Sequence, residues 1–201
     1  MNITVNAEIV CTDGYYGHLN SVILNPAKPQ VTHLVVQRDG LFSHAWLVPV
    51  AHIVDSTPDH IQLDLSAKEI TDRMLPFIRT EFLAPDSPDV LYKTDLMWPH
   101  LIANLEMKTI EHENLPLNEL AVHKEAVVEA KDGALGYLES IILNPRNHYI
   151  DQIVVRAGHW HGNARRVIPA VAIDRFGEDA IHLSISKHEA EALTPMWQNR
   201  G

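Results

Sequence analysis

Apolar residues along this chain come in short, β-branched runs interrupted by Gly, Pro, Asn and Asp. One of them alternates strictly, with Ile61, Leu63 and Leu65 separated by Gln62 and Asp64. Successive side chains of a strand point to opposite faces, so this spacing predicts a half-buried strand over 61–65. The same pattern predicts strands over 8–12, 18–24 and 31–38, a fourth ending at Val48-Pro49, and a fifth over 51–55. Asp13-Gly14 predicts a hairpin turn, because Gly accepts positive φ and Asp bonds back to nearby backbone. Gly17 predicts a bulge or a close backbone approach. Pro26 lacks an N–H for the ladder and ends the second strand. Ser66-Ala67-Lys68-Glu69 has the form of a capping box, which predicts a short helix.

The pattern then repeats. Asp13-Gly14-Tyr15-Tyr16-Gly17 returns as Asp132-Gly133-Ala134-Leu135-Gly136, an offset of 119. Ser21-Val22-Ile23-Leu24-Asn25-Pro26 returns as Ser140-Ile141-Ile142-Leu143-Asn144-Pro145. Leu34-Val35-Val36 answers to Ile153-Val154-Val155 and, one insertion later, Val48-Pro49 to Ile168-Pro169 and Ser66–Glu69 to Ser186–Glu189. The second copy therefore has predicted strands over 126–130, 137–143, 150–156, 171–175 and 181–185, and one ending at Pro169. A register held this long implies a duplicated folding unit. Three segments follow: a first barrel over 1–78, a connector over 79–117 and a second barrel over 118–201. About six short strands per copy suggest a small, nearly closed barrel, because closure removes exposed edges. The connector carries Pro85, Pro88, Pro99 and Pro116 but also Leu91, Tyr92, Trp98 and Leu101. That is too apolar for a free linker, so it is expected to be ordered.

These motifs, in this order and in both copies, resemble the PRC-barrel family. The family is named for the cytoplasmic domain of the photosynthetic reaction-centre H subunit and includes the C-terminal domain of a ribosome maturation factor. The resemblance covers most of residues 5–75 and 124–196. It implies mainly β structure, two tandem six-stranded barrels each followed by a short helix, and contacts with protein or RNA. It implies no shared catalytic residues. The chain departs from both members, having no membrane helix and two barrels of this type.

Charge narrows the partners. The formal net charge is −10. Residues 118–201 are closest to neutral, with 9 basic and 11 acidic groups. An acidic surface repels phosphate, so an RNA- or ribosome-associated role is the second reading behind a protein-interaction or assembly module. The single cysteine, Cys11, excludes an internal disulfide and suits a reducing, cytoplasmic setting. No basic and apolar leader opens the sequence, and no apolar run approaches the roughly 20 residues of a membrane helix.

Interaction candidates cluster in the loop between the third and fourth strands. In the second copy Arg156, His159, His161, Arg165 and Arg166 bracket Trp160. The first copy has Phe42 and Trp46 there, and the connector adds Trp98. Arginine around an aromatic is the composition of a binding hot spot. Exchanging Arg165 and Arg166 for Ala is expected to weaken partner binding without moving the melting transition. His159 and His161 share one face if extended, which makes metal binding a third reading, but no further ligands stand at metal spacing. No nucleophile, zinc-protease or phosphate-loop motif occurs, and Cys11 reads as a small buried hydrophobe. The sequence thus points to no enzyme and no cofactor, to a protein partner, and to possible self-association through its aromatics.

Overall fold

The computed structural model describes residues 1–40, 44–83, 108–123, 126–157, 165–177 and 179–193. These are mainly β, in curled sheets. The first copy holds β1 (Asn2–Thr4), β2 (Glu8–Cys11), β3 (Gly14–Asn25), β4 (Gln30–Arg38), β5 (Ala45–Pro49), β6 (Ile53–Ser56), β7 (His60–Leu63), the helix α1 (Ala67–Arg73) and β8 (Leu75–Pro76). β9 (Ile78–Leu83) and β10 (Lys108–Glu113) follow. The second copy holds β11 (Leu120–His123), β12 (Val127–Ala130), β13 (Gly133–Leu143), β14 (Ile150–Ala157), β15 (Arg165–Pro169), β16 (Ile173–Phe176), β17 (Ala180–Leu183) and α2 (Lys187–Ala192).

The chain divides into two compact units. The larger joins Met1–Phe77 to Leu115–Gly201, so both copies belong to it. The smaller, Ile78–Asn114, contains an antiparallel hairpin in which β9 pairs with β10, Ile78 opposite Glu113 and Leu83 opposite Lys108. Trp98 and its neighbours over 84–107 lie outside the described residues.

The punctuation read from the sequence has direct structural causes. Gly14 and Gly133 open β3 and β13 at φ 124° and 125°, values that L side chains rarely adopt. A Cβ on Gly17 would sit 2.1 Å from the Gln37 carbonyl oxygen, and one on Gly136 the same distance from that of Arg156. The chain also bulges here, since the register shifts between Ile9 and Val10 and between Val128 and Glu129. Asp13 and Asp132 do not bond back locally. They reach the following helices, accepting from the Ala67 N–H at 3.0 Å and the Lys187 N–H at 2.7 Å. Both capping boxes form: Ser66 Oγ accepts from the Glu69 N–H, Ser186 Oγ from the Glu189 N–H, and each glutamate reaches back to its serine N–H. Those bonds hold both carboxyls below the usual range. The strands expected over 51–55 and 171–175 instead begin with single 3-10 turns, Val50–His52 and Ala170–Ala172, each following a proline whose fixed φ suits a turn start.

Each copy lends a strand to the other. β1 pairs antiparallel with β13, Ile3 opposite Ile141, and β11 pairs antiparallel with β3, Val122 opposite Val22. The strand path β15-β14-β13-β12-β17-β16 gains β1 and becomes seven-stranded. The path β6-β7-β2-β3-β4-β5-β8 gains β11 and becomes eight-stranded. The expectation of six self-contained strands per copy missed these short lending strands. The core follows the exchange. One cluster takes Ile3, Ile9, Leu19, Leu34, Ile61 and Ile70 from the first copy and Val122, Ile141, Ile153, Ile168 and Ile181 from the second. Each such side chain, removed from water, is worth roughly 1.5–3 kcal/mol, so neither copy owns its core alone.

Candidate functional site

Among the described residues, polar side chains gather on at least two surfaces. The first is the outer face of β3, β4, β5 and β11. A second apolar cluster lies there, made of Ile23, Val35, Leu47, Phe77 and Ala121, with Leu115 packed against it. Beside it runs a chain of hydrogen bonds. Asn20 Nδ2 donates to Gln37 Oε1 at 2.7 Å, and Ser21 Oγ donates to Asn20 Oδ1 at 2.9 Å. Ser21 Oγ also stands 3.0 Å from His123 Nδ1. The pair thus satisfies buried Ser21 and pins β11 to β3. On the same face the Thr32 hydroxyl donates to Glu119 Oε2 at 2.6 Å, and His33 Nδ1 lies 3.8 Å from that oxygen. Burial pushes the His33 pKa below 6.5 against the pull of Glu119.

The second surface is the end of the sheet where β3 begins and β4 finishes. Tyr15 donates its hydroxyl to Asp39 Oδ2 in a short hydrogen bond, and His18 Nδ1 lies 3.1 Å from Asp39 Oδ1. The Tyr15 and His18 rings meet edge to face with centroids 5.8 Å apart. The bond to Asp39 pushes the Tyr15 pKa up to about 12, and bonds from Tyr15 and His18 hold the Asp39 carboxyl below its usual range. Period-two alternation puts Tyr15 and His18 on opposite faces. The extra residue of the bulge, Tyr16, reverses the parity and brings them together. At the matching end of the second copy Tyr137 lies opposite Arg156 in register, and both are exposed.

The residues singled out in the sequence meet different fates. Arg156 lies on this exposed end of β14, in register with Arg165 on β15. Arg165 is engaged: its Nε donates to Glu139 Oε2 at 2.9 Å and its Nη2 reaches Oε1 of the same carboxylate. Replacing it strands a carboxylate only 20% exposed, so a melting transition unmoved by Arg165→Ala is no longer the expectation. Arg166 is half-buried, and Trp46 packs against the shared core rather than standing free. Phe42, His159, Trp160, His161 and Trp98 lie outside the described residues. Among the described residues no group of three or more His, Cys, Asp or Glu is placed to hold a metal. Cys11 is 3% exposed, and burial with Asp13 nearby pushes its thiol up to about 11, as a small buried hydrophobe requires. No helix among the described residues is long and apolar enough to cross a membrane.

Sequence reasoning missed the Tyr15–His18–Asp39 cluster and the Ser21–His123 pair. The signal for the first was difference within the repeat: Tyr15, His18 and Asp39 correspond to Ala134, Tyr137 and Gly158. For the second the signal was the same offset carried further back, which matches Thr4 to His123 and Ala7 to Ala126. No protein-family model matches the chain, and no curated protein matches it.

Proposed function

We propose that this protein is a non-enzymatic interaction module, an assembly subunit made of two PRC-barrel-like copies that present their strand ends to a protein partner. The observation that supports the reading best is where the copies agree and where they differ. Turns, caps and core positions are repeated, whereas the exposed strand ends are not. Tyr15, His18 and Asp39 stand in one copy, Tyr137 and Arg156 in the other. A rigid frame with divergent aromatic and charged ends is the composition of a recognition surface.

The test is an affinity purification from the native cell with the unaltered chain, a Tyr15→Ala/His18→Ala variant and a Tyr137→Ala/Arg156→Ala variant. We expect one or more partners to be lost at least tenfold in a variant whose melting temperature is unchanged. Partner profiles identical across all three chains defeat the reading. Repeating the purification after ribonuclease treatment and at raised salt separates a protein partner from RNA, since phosphate contacts weaken steeply with salt.

A further inference from the structure

Among the described residues, the backbone contacts that link the two copies recur at the offset of the repeat, apart from the bond from Val5 N–H to the Glu139 carbonyl, whose equivalent position 124 lies outside the described residues. Ile3 faces Ile141, and its equivalent Val122 faces Val22. Leu143 N–H donates to the Met1 carbonyl at 2.8 Å, and their equivalents Leu24 and Leu120 are paired in register. Val31 N–H donates to the His148 carbonyl at 3.0 Å, and its equivalent Ile150 N–H to the Pro29 carbonyl at 2.8 Å. Between these two bonds Gln30 bridges Tyr149, which is its own equivalent in the other copy. Residue i meeting j′ while j meets i′ is the definition of an isologous, two-fold interface.

The lending strands explain why the copies need each other. Between β1 and β2 only Val5, Asn6 and Ala7 intervene, with Asn6 in the left-handed region at φ 68°. So short a turn fixes where β1 goes, and it goes to β13. The first copy's own slot, along Ser21–Leu24 of β3, is filled by β11. Without the other copy each slot leaves a row of backbone donors and acceptors unpaired, and Ile3 or Val122 loses its burial. The link between the copies starts and ends in one place, because Phe77 and Leu115 both pack on the cluster of Ile23, Val35, Leu47 and Ala121.

We infer that the surface between the copies is a self-sufficient strand-exchange interface whose fitting partner is a second repeat of this kind, and that residues 78–114 serve this fold only as a tether. The chain is a two-fold dimer in one polypeptide. Its recognition element is an extended segment with a central Ile or Val, seated beside β13 or β3 by strand addition.

The test replaces 78–114 with a protease-cleavable Gly/Ser linker of about 12 residues, then cuts it. The expected result is a folded chain whose two fragments co-elute one-to-one at micromolar concentration. The melting temperature of the cut form falls by roughly 3–6 °C per tenfold dilution, while that of the uncut form does not move, because only the cut form dissociates on unfolding. Fragments that elute separately overturn the inference, and so does a replaced chain that does not fold. A second measurement needs no replacement. In the natural chain Ile3→Ala lowers one transition, seen equally by amide exchange of β2 and of β12. Two transitions, with only one of them shifted, overturn it as well.

Discussion

Where β11 meets β3, the joint is closed by a chain of hydrogen bonds linking His123, Ser21, Asn20 and Gln37. Where β1 meets β13, the equivalent positions hold Thr4, Ser140, Glu139 and Arg156, and a two-point ion pair from Arg165 to Glu139 takes the place of the relay. The backbone around the two joints is the same: β3 shifts register against β4 at Leu19/Ser21, as β13 does against β14 at Leu138/Ser140. The lesson is that a duplicated frame constrains the ladder and the apolar positions but leaves open how the polar groups at a joint find partners. Either solution serves, because the requirement is only that a group taken from water be bonded. The solutions differ in what disturbs them. The relay is sensitive to loss of a single hydroxyl, the ion pair to loss of a charge.

The largest effect is expected where the joints are equivalent. Ile3→Ala removes a side chain with no exposed surface from the shared core and should cost about 2–5 kcal/mol; Val122→Ala, smaller in volume change, should cost about 1–3 kcal/mol. Urea unfolding monitored by far-ultraviolet dichroism measures both, and a cost near zero for either breaks the equivalence. Next come the glycines at the close approach. Gly17→Ala and Gly136→Ala each force a Cβ against a carbonyl oxygen of the neighbouring strand, and each should cost about 1–3 kcal/mol. The two values should agree within the error of a melting experiment, and a large disagreement shows that one copy relaxes where the other does not.

The joints should separate on their polar groups. Ser21→Ala removes a buried hydroxyl from between Asn20 and His123 and should cost about 1–3 kcal/mol, independent of salt. Arg165→Ala acts on a pair that is partly solvated, 37% and 20% exposed, so the expected cost is only ~1 kcal/mol and shrinks as salt rises. Melting curves at low and high salt decide this; a salt response in Ser21→Ala or none in Arg165→Ala contradicts the contrast.

The smallest effect concerns pH. His33 of the first copy corresponds to Gln152 of the second. Burial lowers the His33 pKa from 6.5, so on acidification the unfolded chain takes up the proton first. Stability from this group is therefore complete above about 6.5 and is lost as pH falls through the lower folded value. His33→Gln, which imports the residue of the other copy, should flatten this part of the profile by less than ~1 kcal/mol between pH 7.5 and 5. An identical pH profile in both proteins removes His33 as the source.

Much of the frame was legible because it rests on local rules. Asp-Gly turns, Asn-Pro strand ends, Ser-x-x-Glu caps and β-branched runs each act within a few residues, and they place most of β2 to β7 and β12 to β17 to within a residue or two, although β3 and β13 begin four residues earlier than expected, directly at Gly14 and Gly133. The lending strands β1 and β11 were not, since three or four residues with no turn signal of their own become strands only when a neighbour offers an edge. The Tyr15–His18 pairing was hidden by an extra residue that reverses the alternation from which faces are read.

What the sequence determined by itself is a doubled set of strands, turns and caps, because those depend on side-chain periodicity, glycine and proline backbone limits and bonds closed within one turn. Which copy each lending strand completes, that His123 would find Ser21 a hundred residues away and that Arg165 would be held by Glu139 were decided only in three dimensions. A strand edge and a buried hydroxyl accept any partner of suitable geometry, and geometry between distant segments exists only once the shared core has formed.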